Sequence, residues 1–155
     1  MADKNNSFNK EAVKKLRQQT GAGVMACLKA LKETDGDFDK ALGQLEYSNE
    51  KMALKKAGRE THEGIVVAYI HSNSKVGAII SLLCETDFVA RTEDFQHLAW
   101  EIAMQVAAMD PADNEELLNQ PYIRDPKLTI AQLIKKVIGQ TGENIQLGEI
   151  KRLEI

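Results

Sequence analysis

Two β-rich runs, residues 65–71 and 76–84, lie either side of only four residues in the middle of the chain, and no other feature restricts the fold as much. The intervening Ser72-Asn73-Ser74-Lys75 is small and polar, so the runs are expected to fold back as an antiparallel hairpin with a short loop. The second run, Val76 to Cys84, is apolar almost throughout and reads as a buried strand. The flanking sequence changes period and becomes helical on both sides, which makes the class α+β.

Upstream, three short helices are expected. Asn9 caps the first, with Phe8 stapled to Val13, and Gly21 and Gly23 end it. The second, about residues 24–33, repeats apolar residues at Val24, Cys27, Leu28 and Leu31 and stops at Asp35-Gly36. The third opens at Asp37 and carries Phe38, Ala41, Leu42 and Leu45 on one stripe. Together they form a compact bundle over residues 1–47, and the lysine-rich stretch 48–63 reads as a helical connector.

Downstream of the hairpin, Thr92 caps a long helix with Glu93 and Asp94 in its first turn. Its core stripe is Phe95, Leu98, Ala99, Ile102, Ala103 and Val106, and Asp110-Pro111 ends it. A second helix starts at Thr129 with a capping box completed by Gln132 and a staple from Leu128 to Leu133, running to about Ile138. Residues 145–155 form a last strand whose apolar phase shifts between Leu147 and Ile150, which predicts a bulge near Gly148. Residues 64–155 are thus expected to form an α+β core with a three-stranded antiparallel sheet and packed helices.

Several function classes drop out. A chain of 155 residues buries about 70% of its unfolded surface. Its 43% hydrophobic and 28% charged residues are ordinary for a soluble globular protein. A net charge of -3 argues against nucleic-acid binding, which needs Lys and Arg to neutralise phosphates. Cys27 and Cys84 sit in separate apolar runs, as two buried thiols in a reducing compartment would. With no leader-like segment at residues 1–9 and no membrane-length apolar run, the chain is expected in the cytoplasm, off the membrane. His62, His71 and His97 are scattered and no serine sits in a nucleophile elbow, so covalent catalysis is not indicated and no cofactor or metal is implied. Gly21-Ala22-Gly23 lacks the Lys-Ser/Thr that completes a phosphate-binding loop, so it reads as a turn between helices in a chain that binds no nucleotide itself.

The stretch with the most to say about function is Glu85-Thr86-Asp87-Phe88-Val89-Ala90, at the exit of the second strand. An acid beside a phenyl ring and a valine is better placed there to touch a partner than to fill a core. Two readings stay open from the residues alone: a wedge into a partner, or a Phe88 packed under its own helix with Asp87 capping it.

This stretch, continued by Arg91, preceded by a hairpin and followed by an amphipathic helix, resembles a signature of the bacterial elongation factor Ts family, exchange factors that strip GDP from the translation GTPase elongation factor Tu. A second resemblance lies near the N-terminus. Val13-Lys14-Lys15-Leu16-Arg17 leads into Thr20-Gly21-Ala22-Gly23-Val24-Met25, then Cys27 and Lys29-Ala30-Leu31. Lys55-Lys56-Ala57-Gly58-Arg59, Glu63-Gly64, Gln120-Pro121-Tyr122 and Gly142-Glu143-Asn144-Ile145 add to it, so the similarity covers about residues 8 to 155.

The resemblance implies a ubiquitin-associated-like N-terminal bundle and a dimerisation core. It implies that Asp87 and Phe88 push toward the Mg²⁺ site of elongation factor Tu, with Thr86 and Val89 shaping the turn, and that Leu16, Val24 and Met25 dock on a helix of the same GTPase domain. For Leu16, core packing is an equally open reading; Val24 and Met25 begin a helix and are expected at the surface. Lys55, Lys56 and Arg59 read either as a solvated face or as contacts.

The chain also departs from the family pattern. Val24 stands for the first of a methionine pair, and Ala26 and Leu28 replace an acid and a lysine. Only ten residues separate Met109 from Gln120, where the family usually inserts a helical hairpin, and the duplicated second half of the core is absent. Short members compensate by pairing across the core sheet, so a homodimer is expected. Two other classes compete. One is a non-exchange interaction module built from a binding bundle and a dimerisation scaffold; the other is a small enzyme using Cys84 with a histidine.

Overall fold

The computed structural model describes residues 10–155, so the expected Asn9 cap and Phe8 staple lie outside the described residues. Three helices come first, α1 (Lys10–Thr20), α2 (Val24–Glu33) and α3 (Phe38–Lys56). They close on a small core of Val13, Leu16, Cys27, Ala30, Leu31, Ala41 and Leu45. Asp37 caps α3 by accepting the Lys40 N–H at 3.1 Å. The helix then runs past residue 47 without a break, so the lysine-rich segment expected as a connector is the second half of α3. Its Ala53 is buried in the second, larger core.

That larger core lies between a sheet and two helices. Strands β1 (Glu63–Ile70) and β2 (Val76–Cys84) form the hairpin, paired from Glu63 opposite Cys84 to Ile70 opposite Gly77. Strand β5 (Ile145–Glu154) pairs antiparallel with the other side of β2, giving the order β1-β2-β5. The alternation of a half-buried sheet is visible in β2, where Ala78, Ile80, Leu82 and Cys84 point inward. The bulge falls where the phase shift predicts it: Ile80 pairs with Ile150 and Leu82 with Leu147, so Gly148 and Glu149 together face Ser81. Gly148 is required there, because a Cβ would run into the Ser81 hydroxyl, which accepts the Glu149 N–H at 2.8 Å.

A one-turn helix, α4 (Asp87–Ala90), follows β2, and α5 (Glu93–Met109) crosses the inner face of the sheet. Thr92 caps α5 by accepting the Phe95 N–H. Burial on α5 extends beyond the expected stripe, to Glu101, Met104, Gln105 and Ala107, because the helix is covered on two sides. The cover is a short helix α6 (Asn114–Asn119), a small hairpin of β3 (Pro121–Tyr122) and β4 (Asp125–Thr129), and helix α7 (Ile130–Thr141). The buried polar groups of α5 hold this cover. The Tyr122 hydroxyl donates to Glu101 at 2.6 Å, and Gln105 donates to the Gln120 side chain and the Pro121 carbonyl while accepting the Ile123 N–H. Helix α7 starts with the full capping box at Thr129 and Gln132.

Bundle and core meet along α3 and α7. Gly139 lets the helices approach, since a Cβ there would meet the Asn49 side chain, whose amide donates to the Thr20 carbonyl at 3.1 Å. Lys135 pairs with Glu50 at 2.8 Å, and Lys136 donates to the Gln18 carbonyl at 2.8 Å. Lys136 is desolvated in this seam, which lowers its pKa. Among the described residues, no helix is long and apolar enough to cross a membrane.

Candidate partner-binding site

The turn after β2 is built by its cap. The Thr86 hydroxyl accepts the Val89 N–H at 3.4 Å, and Val89 turns inward to 4% exposure, fastening the turn to the core. Phe88, one residue earlier, is turned the other way and is 77% exposed, so it does not pack beneath its own helix. Asp87 is also at the surface, in an ion pair with Arg91 at 2.8 Å, one turn along. The cap is Thr86 rather than Asp87. The four signature residues therefore split by role: Thr86 and Val89 shape the turn, while Asp87 and Phe88 project from it.

The turn is braced from outside. Glu143 accepts the Thr86 N–H at 3.0 Å and the Thr86 hydroxyl at 2.7 Å, one on each carboxylate oxygen. Glu85 accepts the Asn144 N–H at 2.7 Å and pairs with Arg59 at 3.3 Å. The Asn144 N–H, then the Arg59 guanidinium, hold the Glu85 carboxyl below the usual carboxylate pKa. Arg59 thus makes an intramolecular contact in this structure, while Lys55 is exposed. In the sequence, Glu143 and Asn144 stand out only as part of a resemblance. Their partners lie almost sixty residues away, and a spacing of that size leaves no local signal.

A second exposed apolar point lies on the bundle. Met25 is 77% and Val24 43% exposed, in the first turn of α2 after an N-cap, Gly23, that offers no side-chain hydrogen bond. Leu16, the third candidate on that surface, is corrected by its burial: at 0% exposure it fills the bundle core beneath α2 and α3 and cannot touch a partner directly. The periodicity of α1 put Leu16 on the same stripe as Val13, and that stripe faces inward.

Among the described residues, neither cysteine is placed as a nucleophile. Both cysteines are free and buried, and burial, followed by the nearby Glu143 charge, pushes the Cys84 thiol up to about 11. A thiol so placed is protonated at neutral pH and makes a poor nucleophile. Among the described residues, no group of three or more His, Cys, Asp and Glu side chains could hold a metal ion.

Comparison with known proteins agrees with the two signatures. The family model described as Elongation factor TS matches residues 85–155, beginning at the acid that opens the turn. A protein named elongation factor Ts from Fervidobacterium nodosum is 38% identical over 190 aligned positions, covering 94% of this chain and 96% of the relative. Its namesake from Thermotoga neapolitana is 38% identical over 188 positions, covering 94% and 95%. That from Synechococcus elongatus is 39% identical over 186, covering 90% and 84%. The aligned stretches are longer than this chain, so the relatives carry residues with no counterpart here. On this identity and coverage, the chain belongs to the elongation factor Ts family of translation elongation factors.

Proposed function

We propose that the chain is a guanine-nucleotide exchange factor for elongation factor Tu, promoting GDP release by disturbing the Mg²⁺ and phosphate site of that GTPase during translation elongation. The observation that carries this reading is the exposed Phe88 ring beside Asp87, on a turn held by both its own cap and Glu143. A ring already largely exposed fills a partner's pocket at little reorganisation cost. The acid next to it reaches polar groups around a metal that tolerates little departure from octahedral geometry.

The work is linkage and no bond is made or broken, so the chain acts without catalysis and without a cofactor or nucleotide of its own. A factor that binds the nucleotide-free GTPase more tightly is weakened by nucleotide in the same proportion. Reversing a 99:1 preference takes about 5.5 kcal/mol of differential affinity. One ring does not supply that, and the exposed Val24 and Met25 on the bundle provide a second anchor. The working units are the three-helix bundle and the α+β core, joined by the second half of α3, in the cytoplasm where elongation takes place.

A homodimer completes the reading. The outer face of the sheet carries Val66, Ile70, Ile79 and Leu153 exposed, and grouped apolar side chains of this kind mark an interaction surface. A second copy stacked on it by a twofold axis would cover that face, with β1 and β5 as the edges. Sedimentation should give twice the chain mass, and Ile79→Lys should return it to monomer.

Release of a fluorescent GDP analogue from elongation factor Tu, followed by stopped flow, tests the main reading. Acceleration by the native chain, with most of it lost in Asp87→Ala plus Phe88→Ala, is the expected result. Binding by both proteins with no change in release would make the chain a docking module and end the exchange proposal.

A further inference from the structure

A helix of one turn has no cooperative stability of its own, so the pose of α4 is set by what holds it. Two consecutive residues of the connection between α7 and β5 hold the two residues in front of Asp87. Glu143 takes both hydrogens of Thr86, backbone and hydroxyl. Pointing the Thr86 O–H at Glu143 leaves the oxygen lone pairs free for the Val89 N–H, so the carboxylate fixes the orientation of the cap as well as its place. Asn144 donates its backbone N–H to Glu85.

The same Asn144 faces the other way with its side chain. It is buried, and its amide donates to the Arg59 carbonyl at 2.7 Å and the Ala57 carbonyl at 3.5 Å, just past the end of α3. Arg59 in turn pairs with Glu85. Residues 143 and 144 are therefore a junction at which the helix that begins in the bundle and the turn that bears Phe88 are tied by direct hydrogen bonds.

We infer that Glu143 and Asn144 are positioning residues for nucleotide exchange, setting the pose of the Phe88 turn relative to α3. The inference rests on Phe88 being the group that enters the partner. Neither residue need touch the partner; each acts through Thr86 or Glu85. A merely structural residue would lower stability and exchange together, whereas a positioning residue lowers exchange only while Phe88 is present.

The test is a double-mutant cycle on the full chain, read by release of the fluorescent GDP analogue from elongation factor Tu, with the thermal midpoint of each variant recorded. Glu143→Ala is expected to slow stimulated release on the order of tenfold when Phe88 is present, the scale of losing a hydrogen bond to a charged group. In a Phe88→Ala background it should change release less than about twofold. Glu143→Gln keeps one acceptor oxygen and should recover part of the rate. Equal losses in both backgrounds, no loss in either, or no recovery with Gln would overturn the inference. Phe88→Ala exchanging at the native rate would sink the underlying wedge reading instead, and with it this one.

Discussion

The two surfaces proposed to meet a partner are built in opposite ways. Phe88 stands on a turn fixed by a cap, a carboxylate clamp and a buried neighbour, Val89, within the larger core. Met25 is as exposed as Phe88, yet it stands at the start of a helix whose N-cap offers no side-chain bond, on a bundle with a small core. A thioether with three rotatable bonds adapts to the surface it meets; a phenyl ring with two does not. The difference suits a division of labour in which the bundle finds and grips while the turn displaces.

Four substitutions would break or sharpen this contrast. Leu16→Ala should have the largest effect, about 2–5 kcal/mol of stability, because it opens a cavity in the bundle core. A urea titration would then show the bundle unfolding ahead of the α+β core; one unchanged transition would mean that the seam with α7 makes them a single cooperative unit. Thr86→Val removes the cap and the hydroxyl donated to Glu143 while keeping the shape of the side chain, and should cost about 1–2 kcal/mol in the same titration. A loss below that range would show that Val89 and the backbone bonds to Glu143 and Glu85 hold the turn without the hydroxyl.

Met25→Ala should leave stability within about 0.5 kcal/mol and weaken binding to elongation factor Tu by about 1 kcal/mol, measured by calorimetry. An equal loss of release rate at saturating factor would erase the proposed division between gripping and displacing. Glu85→Gln gives the smallest effect and the one with a sign in pH. The Glu85 carboxyl titrates lower folded than unfolded, so its contribution is present above the ordinary value of 4.5 and is lost as pH falls through the folded value. The thermal midpoints of the native chain and Glu85→Gln should differ at neutral pH and converge on acidification.

Much of the fold was legible because its signals are local. Asp37, Thr92 and Thr129 each cap the helix their sequence announces, and the phase slip between Leu147 and Ile150 locates the bulge at Gly148. The elements that escaped are too short to show a period: α4, α6 and the β3–β4 hairpin run from two to six residues each. The fusion of bundle and connector into one α3 was hidden because lysines on an exposed helix look the same in a linker. The site divided along the same line. From the residues alone Phe88 stayed open between wedge and core, and the resemblance singled it out together with Val24 and Met25, whereas Glu143 and Asn144 touch the turn only through contacts that close long loops. For Leu16, where both readings stood open, burial decides for the core.

The close packing of Gly139 against Asn49 has one more consequence. Because α7 packs directly on α3 at this point, a partner held at Met25, on the proposed reading, would meet Phe88 at a restricted separation rather than by a second diffusional search. The second contact becomes intramolecular, with an effective concentration set by rigidity instead of by the amount of protein, and two weak contacts multiply. A bulkier residue at position 139 would lower that effective concentration while leaving both contact surfaces untouched.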